Sequence, residues 1–224
     1  MARSVVTQLF QALDFLHRHH ITHKDVKPAN MMLHPASVDM AAHQCLVKLG
    51  DFGLSEFHPN AEEELGSEDG HIPRLGTLHY AAPEMFPGCF LARPERARLW
   101  QLVKAAYGPR ESRRTRSSPG PVLAAPQGGI WAAGVTAYQV ITGLSNPFQL
   151  GKDTLRAMRE GVVGFCPPLI RARVEGKKAL RLVALGVSPA ASDCLYLVLN
   201  GQPHLRPDAS TGLGHAWIKG SMVS

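Results

Sequence analysis

The chain has 224 residues, of which 45% are hydrophobic and 19% are charged, a balance typical of a folded globular protein. No apolar run approaches the roughly 18 residues that a membrane-spanning helix needs, and the amino terminus does not resemble a signal peptide. Four scattered cysteines form no Cys-x-x-Cys pair. We therefore expect reduced thiols without a disulfide framework, in an intracellular, cytoplasmic protein with no membrane partner.

The net charge of +6 is concentrated in one segment, residues 88–128. That segment contains eight Arg or Lys residues against two Glu, so it carries the whole excess and the rest of the chain is balanced. Its arginines lack interleaved aromatic residues beyond Trp100 and Tyr107, so we expect no nucleic-acid partner. We interpret it as a basic, partly disordered insertion with one short helix over residues 94–107.

The predicted elements are mainly helical, with one small β-hairpin. Residues 2–17 have the apolar spacing of an amphipathic helix, at Val6, Leu9, Phe10, Leu13 and Leu16. Residues 31–33 and 45–49 are short apolar runs flanked by turn residues, which predicts the two strands of the hairpin. Residues 51–84 are punctuated by Gly and Pro and are predicted to form loops.

Further helices are predicted in the second half of the chain. Residues 130–142 are apolar nearly all round, which predicts a buried central helix. Asp153 and Ser188 are suitable N-caps for two more helices, the second with Pro189 at its first position. A last short helix is predicted from about Asp208 to Trp217.

Two short motifs carry residues suited to phosphoryl transfer: residues 23–30 read HKDVKPAN, and residues 51–53 read DFG. This reaction needs a carboxylate that orients the acceptor hydroxyl, ligands for metal ions, and a cation near the γ-phosphate. Each residue alone has an ordinary explanation, because an isolated Asp in a loop is usually a turn or cap residue. Together and in this order, the motifs resemble the catalytic and metal-binding loops of eukaryotic serine/threonine protein kinases.

The resemblance implies a role for each matching residue. Asp25 corresponds to the catalytic base, and Lys27 to the residue that contacts the γ-phosphate of ATP. Asn30, also part of the catalytic set, and Asp51 correspond to the two ligands of Mg²⁺. Asp51 would also contact ATP through the metal, and Met32 falls where the family has the floor of the adenine pocket.

Later segments extend the resemblance in family order. Residues 76–84 read GTLHYAAPE and match the segment that closes the activation loop. Residues 129–148 resemble the central-helix motif and the turn that follows it, and residues 202–209 match the late P-x-x-R-P-x-A motif. Residues 214–218, GHAWI, resemble the closing motif of the calcium/calmodulin-dependent and plant- or protist-type calcium-dependent kinases.

The same segments imply several supporting contacts. Thr77 is placed to bond the catalytic Asp and Lys, as part of the activation and substrate loop. His23 is expected to pack beneath Phe52, and Glu84 is expected to form a buried ion pair with Arg206. All three expected contacts follow from the family resemblance.

The implied fold is a kinase-like C-terminal lobe, mainly α with a small β-hairpin, over residues 1–220, with a tail at 221–224. No segment before the first helix resembles the Gly-rich loop or the strand lysine of the N-terminal β lobe, which we expect to be encoded upstream. ATP would then lose about half of its pocket walls, whereas small-molecule sites bury roughly 70–90% of their ligand. We therefore expect little activity from this chain alone.

Two positions depart from the family pattern. Gly129 stands where the family has an Asp that accepts hydrogen bonds from the backbone of the catalytic turn, and this loss costs on the order of 1–3 kcal/mol. Lys24 stands where the family has Arg. A nearby acidic loop is either a solvated face or a phosphate substitute that pairs with Lys24, and its residues are Glu62, Glu63, Glu64 and Glu68.

These patterns leave two functional hypotheses. The first is a serine/threonine protein kinase that uses ATP and Mg²⁺ to modify protein substrates. The second is a non-catalytic, pseudokinase-like module for protein interaction, which Gly129 favours. We assign no metal site to the closely spaced histidines, since no Cys or carboxylate stands at ligand spacing; they are His17, His19, His20 and His23.

Overall fold

The computed structural model describes residues 1–35, 45–57, 76–82, 125–148, 180–201 and 203–220. Its helices and strands are α1 (Ala2–Arg18), β1 (Ile21–Thr22), β2 (Met31–Pro35), β3 (Cys45–Leu49), β4 (Glu56–Phe57), α2 (Ala125–Thr142), α3 (Pro189–Val198), α4 (Ala209–Leu213) and α5 (Ala216–Lys219). The described residues are thus mainly helical, as predicted. Three predicted features lie outside the described residues: the insertion over residues 88–124, the helix predicted to be capped by Asp153, and the ion-pair residue Glu84.

Helix α1 buries the apolar stripe that its sequence predicts. Val6, Leu9, Phe10 and Leu13 are each at most 1% exposed. The helix packs against α2, α4 and β3, so its apolar face touches three separate parts of the chain. Because full burial of such a side chain contributes roughly 1.5–3 kcal/mol, α1 is a main organiser of the described core.

Helix α2 is the buried central helix, but it begins at Ala125, five residues before the predicted start. Gly128 and Gly129 are weak helix formers, which is why the sequence placed the start after them. Packing of α2 against α1 overrides this local preference. Trp131 is fully buried on α2. None of the described helices combines the length and apolarity that a membrane span requires.

The predicted hairpin is confirmed as the antiparallel pair β2–β3, in which Met31 lies opposite Leu49. A second, shorter antiparallel pair joins β1 to β4. Strands of two residues carry too little pattern to be recognised in a sequence. This second pair matters for the site, because β1 leads into the 23–30 loop and β4 follows the 51–53 loop. The two motif loops are therefore held side by side by both strand pairs.

The carboxyl-terminal helices agree only partly with prediction. Ser188 caps α3 with Pro189 at its first position, as expected. The single helix predicted from Asp208 to Trp217 is wrong, because two short helices, α4 and α5, replace it. The ring of His215 accepts a hydrogen bond from the backbone N–H of Trp217 at 3.2 Å and starts a new helix there.

Candidate functional site

The carboxylate of Asp25 lies at the centre of a dense hydrogen-bond network. Its Oδ1 accepts from the backbone N–H of Thr77 at 2.9 Å and from the Thr77 hydroxyl at 2.7 Å. Its Oδ2 accepts from Lys27 Nζ at 2.7 Å and from Asn30 Nδ2 at 3.0 Å. Lys27 Nζ also donates to the Thr77 hydroxyl oxygen at 2.7 Å. Four residues that the sequence singled out thus meet in one network.

This network controls the ionisation of Asp25. Burial by itself would raise the pKa of the carboxyl group, since the charged form is favoured by water. The hydrogen bonds from Lys27, Thr77 and Asn30 outweigh burial and lower the pKa to about 2. Asp25 is therefore fully ionised at neutral pH.

Asn30 ties the two motif loops together. Its Nδ2 donates to the backbone carbonyl of Asp25 at 2.8 Å as well as to the carboxylate. Its own carbonyl accepts from the N–H of Gly50 at 2.9 Å, one residue before Asp51. The single 3₁₀ turn Pro28–Asn30 provides the geometry, because the fixed φ of Pro28 suits the start of a helical turn.

His23 connects the same loops from beneath. Its Nδ1 accepts from the N–H of Asp25 at 3.3 Å, so the proton resides on Nε2, which donates to the Gly50 carbonyl at 2.9 Å. Burial lowers the pKa of His23, which favours this neutral tautomer. The rings of His23 and Phe52 lie 4.9 Å apart, which is the packing that the resemblance implied.

Asp51 presents its carboxylate beside this junction. Its backbone has a positive φ of 61°, and the side chain is exposed, with one long contact of 3.4 Å from the N–H of Gly53 to Oδ1. Both described hydrogen bonds of the Asn30 amide use Nδ2, which leaves Oδ1 for a cation. One amide oxygen and one carboxylate fit Mg²⁺, which takes few protein oxygens and completes its shell with water and phosphate.

The hairpin beside the junction presents a half-apolar surface. Met32 is 57% exposed and lies opposite Lys48 in the β2–β3 register. Gly50 follows β3, and an added Cβ there would lie 2.9 Å from the Met32 methyl. Met32 therefore packs over the start of the 51–53 loop with much of its side chain open to solvent.

Lys24 pairs with a residue that the sequence did not single out. Its side chain is mostly buried and forms an ion pair with Glu56 on β4. Lys24 has a positive φ of 65°, and its carbonyl lies so close to Gly76 that an added Cβ there would sit 2.2 Å away. Any larger residue at position 76 would prevent the 76–82 segment from reaching Asp25. The acidic loop over residues 62–68 lies outside the described residues.

Gly129 lies next to a buried polar atom. A Cβ added at Gly129 would have His17 Nε2 as its nearest neighbour, at 3.6 Å, an ordinary contact distance. Within the described part of the chain, His17 Nε2 is buried and has no hydrogen-bond partner. Burial lowers the pKa of His17, against the opposing effect of Asp14 and Asp208. A carboxylate at position 129 would therefore lie near this buried nitrogen of α1.

Arg206 is buried and binds backbone groups of two elements. Its Nε donates to the carbonyl of Asn200 at 2.7 Å, and its Nη1 donates to the carbonyl of Gln127 at 2.9 Å. The guanidinium also lies 5.0 Å from the centre of the Trp131 ring. The predicted partner, Glu84, lies outside the described residues, so the ion pair stays a prediction.

Comparison with known proteins agrees with this geometry. The protein kinase domain family matches residues 1–94. The chain is 27% identical over 217 residues to the hormonally up-regulated neu tumor-associated kinase homolog B of Xenopus laevis, covering 97% of the chain and 25% of that protein. It is 25% identical over 225 residues to the calcium/calmodulin-dependent protein kinase cmkA of Emericella nidulans, of which it covers 40%.

A solved structure supports the fold. The Rad53 kinase domain and SCD2 in complex with AMPPNP has a TM-score of 0.53 and 21% sequence identity, covering 97% of this chain and 58% of that one. The chain therefore spans well under two thirds of the relatives and of the structure that it matches. Residues 1–94 match the protein kinase domain family, and the chain resembles protein kinases in sequence and fold along nearly its whole length.

Proposed function

We propose that the chain is part of a serine/threonine protein kinase, with a domain over residues 1–220 that transfers the γ-phosphate of ATP to protein hydroxyl groups. The observation that carries the proposal is the network around Asp25, in which Lys27, Asn30 and Thr77 converge on one ionised carboxylate. Asp51, an exposed second carboxylate, follows directly after Gly50, whose N–H donates to the Asn30 carbonyl. Phosphoryl transfer requires that combination.

Each residue then has a defined task. Asp25 remains ionised and orients the acceptor hydroxyl, since a carboxylate can accept the hydroxyl proton as the new bond forms. Lys27 keeps a cation beside that carboxylate, where a phosphate oxygen can bind it. Thr77 holds both groups in place from the 76–82 segment. Asn30 and Asp51 would hold Mg²⁺, which supplies neutralisation of phosphate charge when bound.

The described residues supply only part of a nucleotide pocket. Met32 would contact the adenine from the hairpin side, and its 57% exposure leaves room for a ring to cover it. A second wall facing Met32 across the ring would be needed to bury most of the nucleotide. We therefore propose that the 224-residue chain alone binds Mg-ATP weakly and transfers phosphate slowly or not at all, because catalysis of this reaction depends mostly on positioning.

A fusion experiment tests the proposal. The N-terminal lobe of a related kinase is placed ahead of Met1, and transfer of radiolabelled phosphate to a mixed Ser/Thr peptide library is measured. Asp25→Asn should abolish the transfer, whereas Asp193→Asn, an exposed carboxylate that pairs with His215, should not change it. An active fusion in which Asp25→Asn retains full activity would refute the assignment of Asp25.

A second candidate function is a non-catalytic interaction module. The specific observation in its favour is the unpartnered His17 Nε2 beside Gly129, because it supports an alteration at the position where the family has an aspartate. The same fusion discriminates the two functions. A folded fusion that neither binds Mg-ATP nor transfers phosphate would favour the interaction module.

A further inference from the structure

Thr77 contacts Asp25 from 52 positions away in the sequence. Interactions between neighbours in the sequence are not enough to maintain such a contact, because closing a long loop has an entropic cost that other interactions must offset. Thr77 belongs to a single helical turn in which the N–H of Tyr80 donates to the Thr77 carbonyl at 2.8 Å. A contact made anywhere on this turn therefore also restrains Thr77.

The far side of the turn is bound by the end of the central helix and the segment that follows it. Asn146 Nδ2 donates to the carbonyl of His79 at 2.7 Å, and Asn146 Oδ1 accepts from the N–H of Phe148 at 2.8 Å. Asn146 is 8% exposed, so water competes little for these groups. A second bond runs from the hydroxyl of Tyr80 to Gln139 Oε1 on α2, at 2.8 Å.

We propose that Asn146 is a positioning residue that holds Thr77 against Asp25, with Gln139 as a second anchor. The inference rests on the proposed function, since Asp25 and Thr77 have catalytic meaning only there. The turn is bound at one end by Asp25 and Lys27, and at the other by two side chains of the α2 region. Among the hydrogen bonds of the described residues, release of the far end leaves Thr77 with those to the catalytic carboxylate and lysine.

Asparagine suits this position because its amide donates through one atom and accepts through another. Aspartate could still accept from the N–H of Phe148, but it has no hydrogen to donate to the His79 carbonyl and would repel that oxygen. An aliphatic side chain would remove both hydrogen bonds. Asn146→Asp therefore removes the contact with His79 and preserves the local turn.

Amide hydrogen exchange in the 224-residue chain, read residue by residue by NMR, tests the inference. Asn146→Asp should raise the exchange rate of the Thr77 amide roughly tenfold, the change expected for loss of one buried hydrogen bond. Gln139→Met should raise it in the same direction. The matched control is Thr142→Val at the end of α2. It removes hydrogen bonds to Tyr138 and Leu144, in the same part of the chain as Asn146, but none of the described hydrogen bonds to the 76–82 segment.

Amides of the α1 core, such as Leu13, report on the whole fold and should be unchanged in all three variants. Faster exchange at Thr77 with unchanged exchange at Leu13 supports the positioning role. Unchanged Thr77 exchange in Asn146→Asp, or an equal rise at Thr77 and Leu13, overturns it. If Asn146→Asp does not fold, Gln139→Met decides by the same two amides. The readout needs no activity, so an inactive fusion would refute the proposed function and leave this result standing.

Discussion

Gly129→Asp is expected to stabilise the protein, because the new carboxylate would lie within reach of His17 Nε2. The space is open at this position, since the nearest atom to an added Cβ is that nitrogen, at 3.6 Å. The nitrogen is buried and has no acceptor among the described residues. An aspartate also removes a glycine, which is unfavourable inside a helix, from α2.

The expected gain combines two favourable contributions and one unfavourable one. Replacing a helical glycine by aspartate contributes only about 0.3 kcal/mol, because aspartate is itself a weak helix former. A hydrogen bond to a charged group contributes roughly 1.5–3 kcal/mol, but partial desolvation of the new carboxylate offsets part of it. We expect a net increase of about 1–2 kcal/mol in the free energy of unfolding. For a chain of this length, each kcal/mol raises Tm by roughly 2–4 °C.

The stabilisation by Gly129→Asp should depend on pH in a defined direction. In the wild type, burial lowers the pKa of His17 below its ordinary value of 6.5. The folded state therefore loses stability as pH falls from 6.5 through the lowered pKa of the folded state. In Gly129→Asp, the carboxylate should raise the pKa of His17 above 6.5. The added stability would then be full below the unfolded pKa and would be lost as pH rises through the raised folded pKa.

Thermal melts of four proteins would decide the matter: wild type, Gly129→Ala, Gly129→Asp, and Gly129→Asp combined with His17→Gln. Gly129→Ala should show the helix contribution alone, and the double variant should lose the part that depends on His17. If Gly129→Asp is no more stable than Gly129→Ala at about pH 6, the proposed contact with His17 does not form.

Three further outcomes are expected. Arg206→Ala should lower the free energy of unfolding by roughly 3 kcal/mol in urea titration, because it removes a buried guanidinium that donates to two backbone carbonyls; an unchanged midpoint would contradict this. The lowered pKa of Asp25, about 2, should contribute about 2 kcal/mol to the free energy of unfolding. This contribution is present above the unfolded pKa of 3.8 and is lost as pH falls through about 2, and Asp25→Asn should remove this pH dependence between about pH 5 and pH 2. Gln8 Nε2 donates to the Cys45 carbonyl at 2.9 Å, and its Oε1 accepts from the Val47 N–H at 2.8 Å. Gln8→Leu should therefore raise the hydrogen-exchange rate of the Val47 amide roughly tenfold. An unchanged exchange rate would show that the Gln8 contact does not protect this amide.

Features with strong periodicity or local chemistry were predictable from the sequence. The apolar stripe from Val6 to Leu16 specifies α1, since its spacing matches a helix with one buried face. The side chain of Ser188 and the ring of Pro189 specify the start of α3 in the same local way. The motif order predicted that Asp25 and Thr77 would meet, which no local property of either residue could show.

Other features depend on packing that leaves no local signal. The side chains of Gln8 and Asn146 are neutral and polar, and each is bonded to a backbone group more than 35 positions away. Lys24 has several acidic residues within reach in the sequence, so its pairing with Glu56 follows only from the β1–β4 register. The sequence identified Gly129 as a missing acceptor for the backbone of the catalytic turn, but it gave no sign of the unpartnered His17 Nε2 that lies beside Gly129.

The most direct test of the proposed kinase site is phosphate transfer by the chain with a related N-terminal lobe fused ahead of Met1. The account predicts transfer to Ser/Thr peptides that requires Mg²⁺ and ATP, disappears in Asp25→Asn, and persists in Asp193→Asn. A folded fusion without any transfer, or transfer that is unaffected by Asp25→Asn, would contradict it.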